Sequence, residues 1–516
     1  MADTGYLLGL DIGSSSIKAS LLDIESQQLA ASSTSPQTEL DIISPQAGFA
    51  EQAPETWWKH VLLAIGMLRS DPSVDLKRVR AIGIAYQMHG LVMVDKKGAP
   101  VANAIIWCDS RAVDIGNRAF EEIGQHKCIE RLLNSPGNFT ASKLAWVKNN
   151  EPGTYARIHK VMLPGDYIAM KLTGDITTTQ SGLSEGIMWD YKHHRLADFL
   201  FDYFDLNYEV VPSIVPCFGI QGTVMVGAAS DLGIPAGIPV SYRAGDQPNN
   251  ALSLYVLNPG EVAATAGTSG VVYGVADTPA ADPAFRVNTF AHVNYTERSP
   301  RYGVLLCVNG AGILNRWLKQ NLCVTGSESM TYEQMNAEAQ KVAPGSDGLQ
   351  VFPYGNGAER TLENANVHAS LCGLDFSVHS RGHLLRAAQE GIVFALRFGL
   401  DILRTTGVSV KTVRAGHANM FRSGLFAEVF ATVCNADLEL CNTDGAAGAA
   451  RGAGMGAGIY RSAQEAFKSL AITRRVSPNP KLAGTYADCY ATWLDKLQTA
   501  RSLSRSVKTM KQAVLD

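Results

Sequence analysis

One short backbone pattern occurs twice in this chain, and it constrains the fold more than any other feature. Tyr6-Leu7-Leu8-Gly9-Leu10-Asp11 is an apolar run, Ile12-Gly13-Ser14-Ser15-Ser16 is a tight Gly/Ser turn, and residues 17–23 resume the apolar run. Far downstream, residues 261–266, Gly267-Thr268-Ser269-Gly270 and residues 271–275 repeat that order. Each reads as strand, tight turn and strand, which is a hairpin. The hairpins lie about half of the 516 residues apart. That spacing implies two similar lobes, not a solenoid, whose period would be roughly 20–50 residues.

Around the hairpins, strand-like runs at 79–85 and 161–163 alternate with a helix over 54–69. In the second half Leu385, Ala388, Ile392, Ala395, Leu396, Gly399, Leu400 and Leu403 share one face of a long helix, and residues 410–414 follow as a strand. After Pro478-Asn479-Pro480, Tyr486, Tyr490, Trp493, Leu494 and Leu497 form one stripe of a packed C-terminal helix. The alternation argues an α/β fold.

Charge excludes several function classes. The 45 Lys+Arg nearly balance the 48 Asp+Glu, giving a net charge of −3, with no basic block or acidic tail. Nucleic acid and anionic membranes are therefore not expected partners. No apolar run reaches the roughly 20 residues that cross a bilayer, and Met1-Ala2-Asp3-Thr4-Gly5 lacks the order of a signal peptide, so a cytoplasmic location is expected. The nine cysteines are odd in number and scattered, which reads as reduced thiols.

Two Gly/Ser hairpins facing one cleft would aim backbone N–H groups at phosphate. Asp11, at the end of the first strand, is placed to meet a divalent cation bridging phosphates. No P-loop sequence occurs. A Gly/Ser turn between strands is also a common structural element, and only the repetition points to phosphate. Asp246 follows Ala244-Gly245 at the end of another strand, where small residues admit a substrate. It also stands where it could cap the next helix.

The chain resembles the FGGY family of carbohydrate kinases, and the resemblance runs nearly end to end. It is carried by Leu8-Gly9-Leu10-Asp11-Ile12-Gly13-Ser14-Ser15-Ser16, Tyr86-Gln87-Met88-His89-Gly90, Ile106-Trp107-Cys108-Asp109-Ser110-Arg111 and Asn138-Phe139-Thr140-Ala141-Ser142-Lys143-Leu144-Ala145-Trp146. Leu163-Pro164-Gly165-Asp166-Tyr167, Ala244-Gly245-Asp246, Ala266-Gly267-Thr268-Ser269-Gly270, Glu359-Arg360-Thr361 and Glu390-Gly391-Ile392 continue it. The resemblance implies two actin/hexokinase-like (ribonuclease H-like) lobes around a central cleft. The expected divisions are 1–245 for the sugar and phosphate side, 246–480 for the nucleotide side, and 481–516 for the packed helix.

It further implies transfer of the γ-phosphoryl group of ATP, with Mg2+, to the terminal hydroxyl of an open-chain sugar. Asp246 would be the base and Asp11 the metal ligand. Gly13, Ser14, Ser15, Gly267, Thr268 and Ser269 would hold the phosphates, and Gly416, His417 and Asn419 would lie beside the adenosine. Met88 and His89 resemble the pair that marks pentulose kinases, which makes D-xylulose the expected acceptor. Ribulose, glycerol, gluconate and sedoheptulose would use the same machinery. Trp107 would offer an apolar face to the sugar, with Asp109 and Arg111 as polar contacts or an ion pair beneath it. Expected partners are thus a small sugar and Mg-ATP, with a homodimer as the assembly considered. Lys18 reads either as a phosphate ligand or as structural.

Three departures from the family pattern stand out. His417 occupies a turn where the family has glycine, Arg243-Ala244 replaces a Gly pair before Gly245, and residues 177–182 lack an expected Asp. They leave a catalytically decayed sugar-binding regulator as the alternative. The small-residue segment Gly445-Ala446-Ala447-Gly448-Ala449-Ala450 reads as a helix start beside the adenosine site, or as a closely packed helix.

Overall fold

The computed structural model of the chain describes residues 5–279, 281–325 and 328–515. Residues 1–4, part of the N-terminal segment read above, lie outside them. The first expected hairpin is β1 (Tyr6–Ile12) and β2 (Ile17–Asp23), paired antiparallel from Tyr6 opposite Asp23 to Ile12 opposite Ile17. With β3 (Leu29–Ser35), β4 (Val79–Tyr86) and β5 (Val240–Gly245) it forms a five-stranded sheet of order β5-β4-β1-β2-β3. Strands β4 and β5 are parallel to their neighbours and almost wholly buried, as continuous apolar runs require.

The second hairpin, β6 (Val262–Ala266) and β7 (Gly270–Ala276), joins β8 (Asn288–Ala291), β9 (Tyr302–Val308), β10 (Thr412–Gly416), β11 (Asp437–Cys441) and β12 (Ile472–Val476). Their order is β8-β9-β7-β6-β10-β11-β12. The stretch β9-β7-β6-β10-β11 repeats β3-β2-β1-β4-β5 strand for strand, with one extra strand at each edge. The repeated hairpin is therefore one sheet design used twice. The strand expected at 410–414 begins later, at Thr412, because Gly407 ends the preceding helix with φ of 89° and a loop intervenes.

The helix Pro54–Arg69 begins with Pro in its first turn and buries Trp57, Trp58, Val61, Ala64, Ile65 and Leu68. The long helix Arg381–Thr405 buries its expected face in the second lobe, where Gly391 lets the Val351 carbonyl approach. The C-terminal helix Ala483–Leu515 adds to that same core: Tyr486, Trp493 and Leu497 are buried, and Trp493 Nε1 donates to the Val351 carbonyl at 3.0 Å. Among the described residues no helix is long and apolar enough to cross a membrane.

One helix departs from a simple two-lobe division. Gly445–Gly456 follows β11 of the second sheet, yet it packs on the first. Its small residues permit contact at backbone distance: a Cβ on Gly9 would lie 1.8 Å from the Ala446 carbonyl oxygen, and one on Gly83 would lie 2.0 Å from that of Ala449. The helix Asp246–Ser253, leaving β5, packs alongside, and Asn249 Nδ2 donates to the Gly445 carbonyl at 2.9 Å. The expected division between 245 and 246 falls at the start of this helix. Two helices in contact thus lie between the sheets.

Candidate active site

The turn of the first hairpin opens onto a cavity of about 380 Å³. Asp11, Gly13, Ser14 and Ser15 line it from the turn, Trp107 from the facing loop and Asp246 from the end of β5. Local sequence explains the turn. The Gly13 amide donates to the Ser16 carbonyl at 3.1 Å, and a Cβ on Gly13 would fall 2.9 Å from that oxygen, so only glycine fits. Half-exposed Trp107 donates its indole N–H to Ser14 Oγ at 3.3 Å. Lys18 also lines the cavity, but it is paired with Asp444 at 2.5 Å. Asp444 in turn caps the helix Gly445–Gly456 by accepting from the Ala447 amide at 2.9 Å. The pair locks the crossing helix to the hairpin, which is the structural alternative for Lys18.

Burial, then the neighbouring Asp444 carboxylate, pushes Asp11 up to about 6. Burial, then Asp11, pushes Asp246 up to about 7. Two carboxylates that resist ionisation in one cavity, beside the unpartnered amide oxygens of Gln247 and Asn249, form a hard oxygen donor set that suits a divalent cation. The linkage has a definite sign. Because both pKa values are raised above those of the unfolded chain, the two groups weaken the fold progressively from about pH 4 up to about pH 7. Asp246→Asn should therefore raise the melting temperature of the metal-free protein by roughly 2–5 °C at pH 7.5 and by much less at pH 4. Equal shifts at both pH values, or none, would contradict this electrostatic description.

The second hairpin opens onto a separate cavity of about 460 Å³ lined by Gly267, Thr268 and Asn419, and also by Asn315, Arg316 and Gln389, which sequence reasoning missed. The turn is held from below, where the Gly312 amide donates to the Gly267 carbonyl at 2.9 Å and that of Ile313 to Thr268 at 3.1 Å. Ser269 lines neither cavity and instead bonds the Cys307 thiol. Gly416 and His417 also stay off the cavity wall. The His417 amide continues the ladder onto the Cys441 carbonyl at 2.9 Å, and its Nδ1 meets Thr473 Oγ1 at 3.1 Å, so the imidazole turns to the sheet edge. The His417 side chain, expected beside the adenosine, does not line the Asn419 cavity.

The Gln-Met-His-Gly segment follows β4. His89 adopts a left-handed backbone, φ 61°, and its Nδ1 donates to the Glu185 carbonyl at 2.9 Å, which leaves Nε2 as an acceptor. Burial, with Lys143 nearby, lowers its pKa to about 3, so the ring is neutral. It packs edge-on against Phe139 at 4.8 Å. Met88 lies against Gly245, where a Cβ would meet Met88 Cγ at 2.6 Å. Asp109 and Arg111 are spent within the protein. Asp109 accepts from the Ala50 amide at 2.7 Å and from Arg111 Nε at 2.9 Å, while Arg111 also reaches Glu51 at 2.7 Å and lies over the Phe49 ring. They form an ion pair and line neither cavity.

Two charged groups not among the expected site residues complete this region. Fully buried Lys143 donates through Nζ to the His89 and Ile106 carbonyls, each at 2.9 Å, so one amine ties the His89 segment to the Trp107 loop. Burial lowers its pKa to about 7. Buried Glu185 lies behind Gly245, and burial, together with the Asp246 charge, raises it well above the carboxylate range. The departures at 243 and 177–182 explain each other. Arg243 pairs with Asp166 at 2.9 Å inside the first lobe, and its Nη2 donates to both the carbonyl and the hydroxyl of Thr177 at 3.1 Å. The guanidinium is fully buried, and Thr177, one of its two partners, lies in the segment that lacks the Asp.

Two family models match this chain: the N-terminal domain of the FGGY family of carbohydrate kinases over residues 6–253, and the C-terminal domain over residues 262–459. The chain belongs to the FGGY family of carbohydrate kinases. These are phosphotransferases that use ATP and an alcohol acceptor. Xylulose kinase of Bacillus subtilis is 28% identical over 466 residues, covering 89% of this chain and 90% of that protein. Xylulose kinase of Haemophilus influenzae is 28% identical over 507 residues, covering 95% and 99%. Among solved structures, xylulose kinase from Rhodospirillum rubrum matches with a TM-score of 0.85 at 25% identity over 97% of this chain and all of that one. The two-lobed FGGY kinase fold is therefore that of this chain.

Proposed function

We propose that this kinase transfers the γ-phosphoryl group of Mg-ATP to the terminal hydroxyl of a pentulose, D-xylulose first. The observation that carries the reading is Asp246 at the end of β5, sharing one cavity with Asp11 and the Gly/Ser turn, one residue from Gly245 and its neighbour Met88. The xylulose kinases among the relatives support the choice of sugar. A hydroxyl is a poor nucleophile, so Asp246 accepts its proton as the phosphoryl group moves. Neutral His89 accepts a sugar hydroxyl at Nε2, Met88 and Trp107 supply apolar surface, and the Asp109 and Arg111 pair supports the Trp107 loop.

Amides and hydroxyls of Ser14, Ser15, Gly267 and Thr268 stabilise phosphate charge without reorganisation, and the Asn419 cavity takes the nucleoside. Asp11, with Asp246 close by, would hold Mg2+, which when bound supplies neutralisation of phosphate charge. A cytoplasmic enzyme drawing on the cellular ATP pool is the setting implied. The test is ADP release across D-xylulose, L-xylulose, D-ribulose, L-ribulose, glycerol, gluconate and sedoheptulose, with Asp246→Ala as the blank. Dominant turnover on D-xylulose supports the reading, and dominant turnover on another acceptor refutes the choice of sugar.

The buried Lys143 gives a second check. Lys143→Met keeps the stem and removes both N–H donors, leaving two carbonyls to relax. Sugar KM should rise roughly tenfold while ATP KM stays within about twofold, the size expected for losing buried hydrogen bonds. A proportional change in both constants would mean general loss of fold.

A further inference from the structure

Arg360 stands apart from the other buried charges. It opens the short helical turn Arg360–Leu362, directly after Glu359. The buried Glu359 carboxylate pins this turn by accepting from the Asn309 amide at 3.0 and 3.1 Å. Asn309 follows β9, whose Cys307 and Val308 lie opposite Val271 and Gly270 at the exit of the second Gly/Ser turn. The base of Arg360 is thus fastened beside the phosphate turn of the second lobe. Its head reaches a ring of the first lobe, with Cζ 5.9 Å from the centroid of Phe139, which packs against His89.

The Arg360 side chain has no hydrogen bond or ion pair among the described residues, although it is half-buried. Buried Arg111, Arg243 and Arg386 each have a carboxylate partner. A half-buried cation without an anionic partner is costly, and its five donors form a fork shaped for phosphate or carboxylate. Burial lowers its pKa, consistent with a missing anion.

We propose that Arg360 is a catalytic residue that clamps the transferring phosphoryl group from the second lobe. The inference rests on the kinase reading above. In the step, the bond from γ-phosphorus to the bridging oxygen of ADP breaks, and that oxygen keeps the electron pair. The sugar oxygen bonds to phosphorus and its proton passes to Asp246. Arg360 exchanges no proton; its N–H groups donate to the peripheral phosphoryl oxygens throughout, and then to the sugar phosphate product. A group that bonds sugar hydroxyls instead would bind substrate and product equally.

Arg360→Gln and Arg360→Lys separate these roles. At saturating D-xylulose and Mg-ATP, Arg360→Gln should lose roughly 10²–10³-fold in kcat, with Arg360→Lys between it and the parent. Calorimetry without nucleotide should show D-xylulose binding within about threefold of the parent and D-xylulose 5-phosphate binding weakened about tenfold or more. Melting curves establish that each variant is folded, and Arg360→Lys carries the test if the Gln variant is not. A kcat within threefold of the parent, or equal weakening of sugar and sugar phosphate, overturns the proposal. A wild-type protein that turns over no sugar refutes the kinase reading itself, whereas an active wild type with indifferent variants refutes only the clamp.

Discussion

Asp246→Asn should bind its sugar with nearly unchanged affinity and turn it over roughly 10²–10⁴ times more slowly, the span that general-base help provides. The amide keeps the size of the carboxylate at the end of β5 and removes its basicity. Burial and Asp11 hold the pKa of Asp246 at about 7, so turnover of the parent should rise as pH increases through that region. A bound cation would move the rise to lower pH. The variant should lack this limb altogether. A variant with wild-type kcat would remove Asp246 from the chemistry, and a variant that fails to bind sugar would make it a binding group instead.

Gly9→Ala and Gly83→Ala should each cost about 3 kcal/mol or more of stability, a large effect for one methyl group. Both glycines are on β1 and β4, where the helix Gly445–Gly456 crosses at backbone distance. A new Cβ would meet the Ala446 or Ala449 carbonyl oxygen at 1.8 and 2.0 Å. Neither partner is a side chain that can swing aside, so the helix must lift from the sheet. Lifting it also moves Asp444 and Gly445, whose own Cβ position is only 2.1 Å from Asp11 Oδ2. Activity should therefore fall with stability. Gly66→Ala is the control, since no atom lies within 4 Å of the added methyl and Gly66 is inside a helix, where alanine gains roughly 0.5–1 kcal/mol. Equal melting temperatures for Gly83→Ala and Gly66→Ala would contradict the crossing geometry.

The repeated hairpin was readable because strand period, glycine and serine are local signals, and the two sheets carry it in matching positions. Asp11, Gly13, Ser14, Ser15 and Asp246 were readable for the same reason, since each lies at the end of a strand or in a turn next to one, whereas Trp107 was expected only from the family resemblance. The crossing helix was not, because a run of Gly and Ala states only that something comes close, without saying whether it is adenosine or another sheet. The direction of His417 depends on the pairing of its amide with Cys441, a long-range choice that a single strand cannot report. Glu185 leaves no local trace, and Lys143 and Arg360, though inside segments that carry the family resemblance, give no sign of their burial, because a charged residue in sequence looks solvated until the fold encloses it. Arg243 reads only as a departure from the family pattern for that reason, and its partners Asp166 and Thr177 become visible only once the segments meet.

The most direct measurement follows γ-labelled ATP with Mg2+ and D-xylulose and locates the label by mass spectrometry. The account expects D-xylulose 5-phosphate from the parent and less than about one hundredth as much from Asp246→Asn in the same time. Label appearing only as inorganic phosphate, with no sugar ester from D-xylulose or any of the other six acceptors, would contradict it.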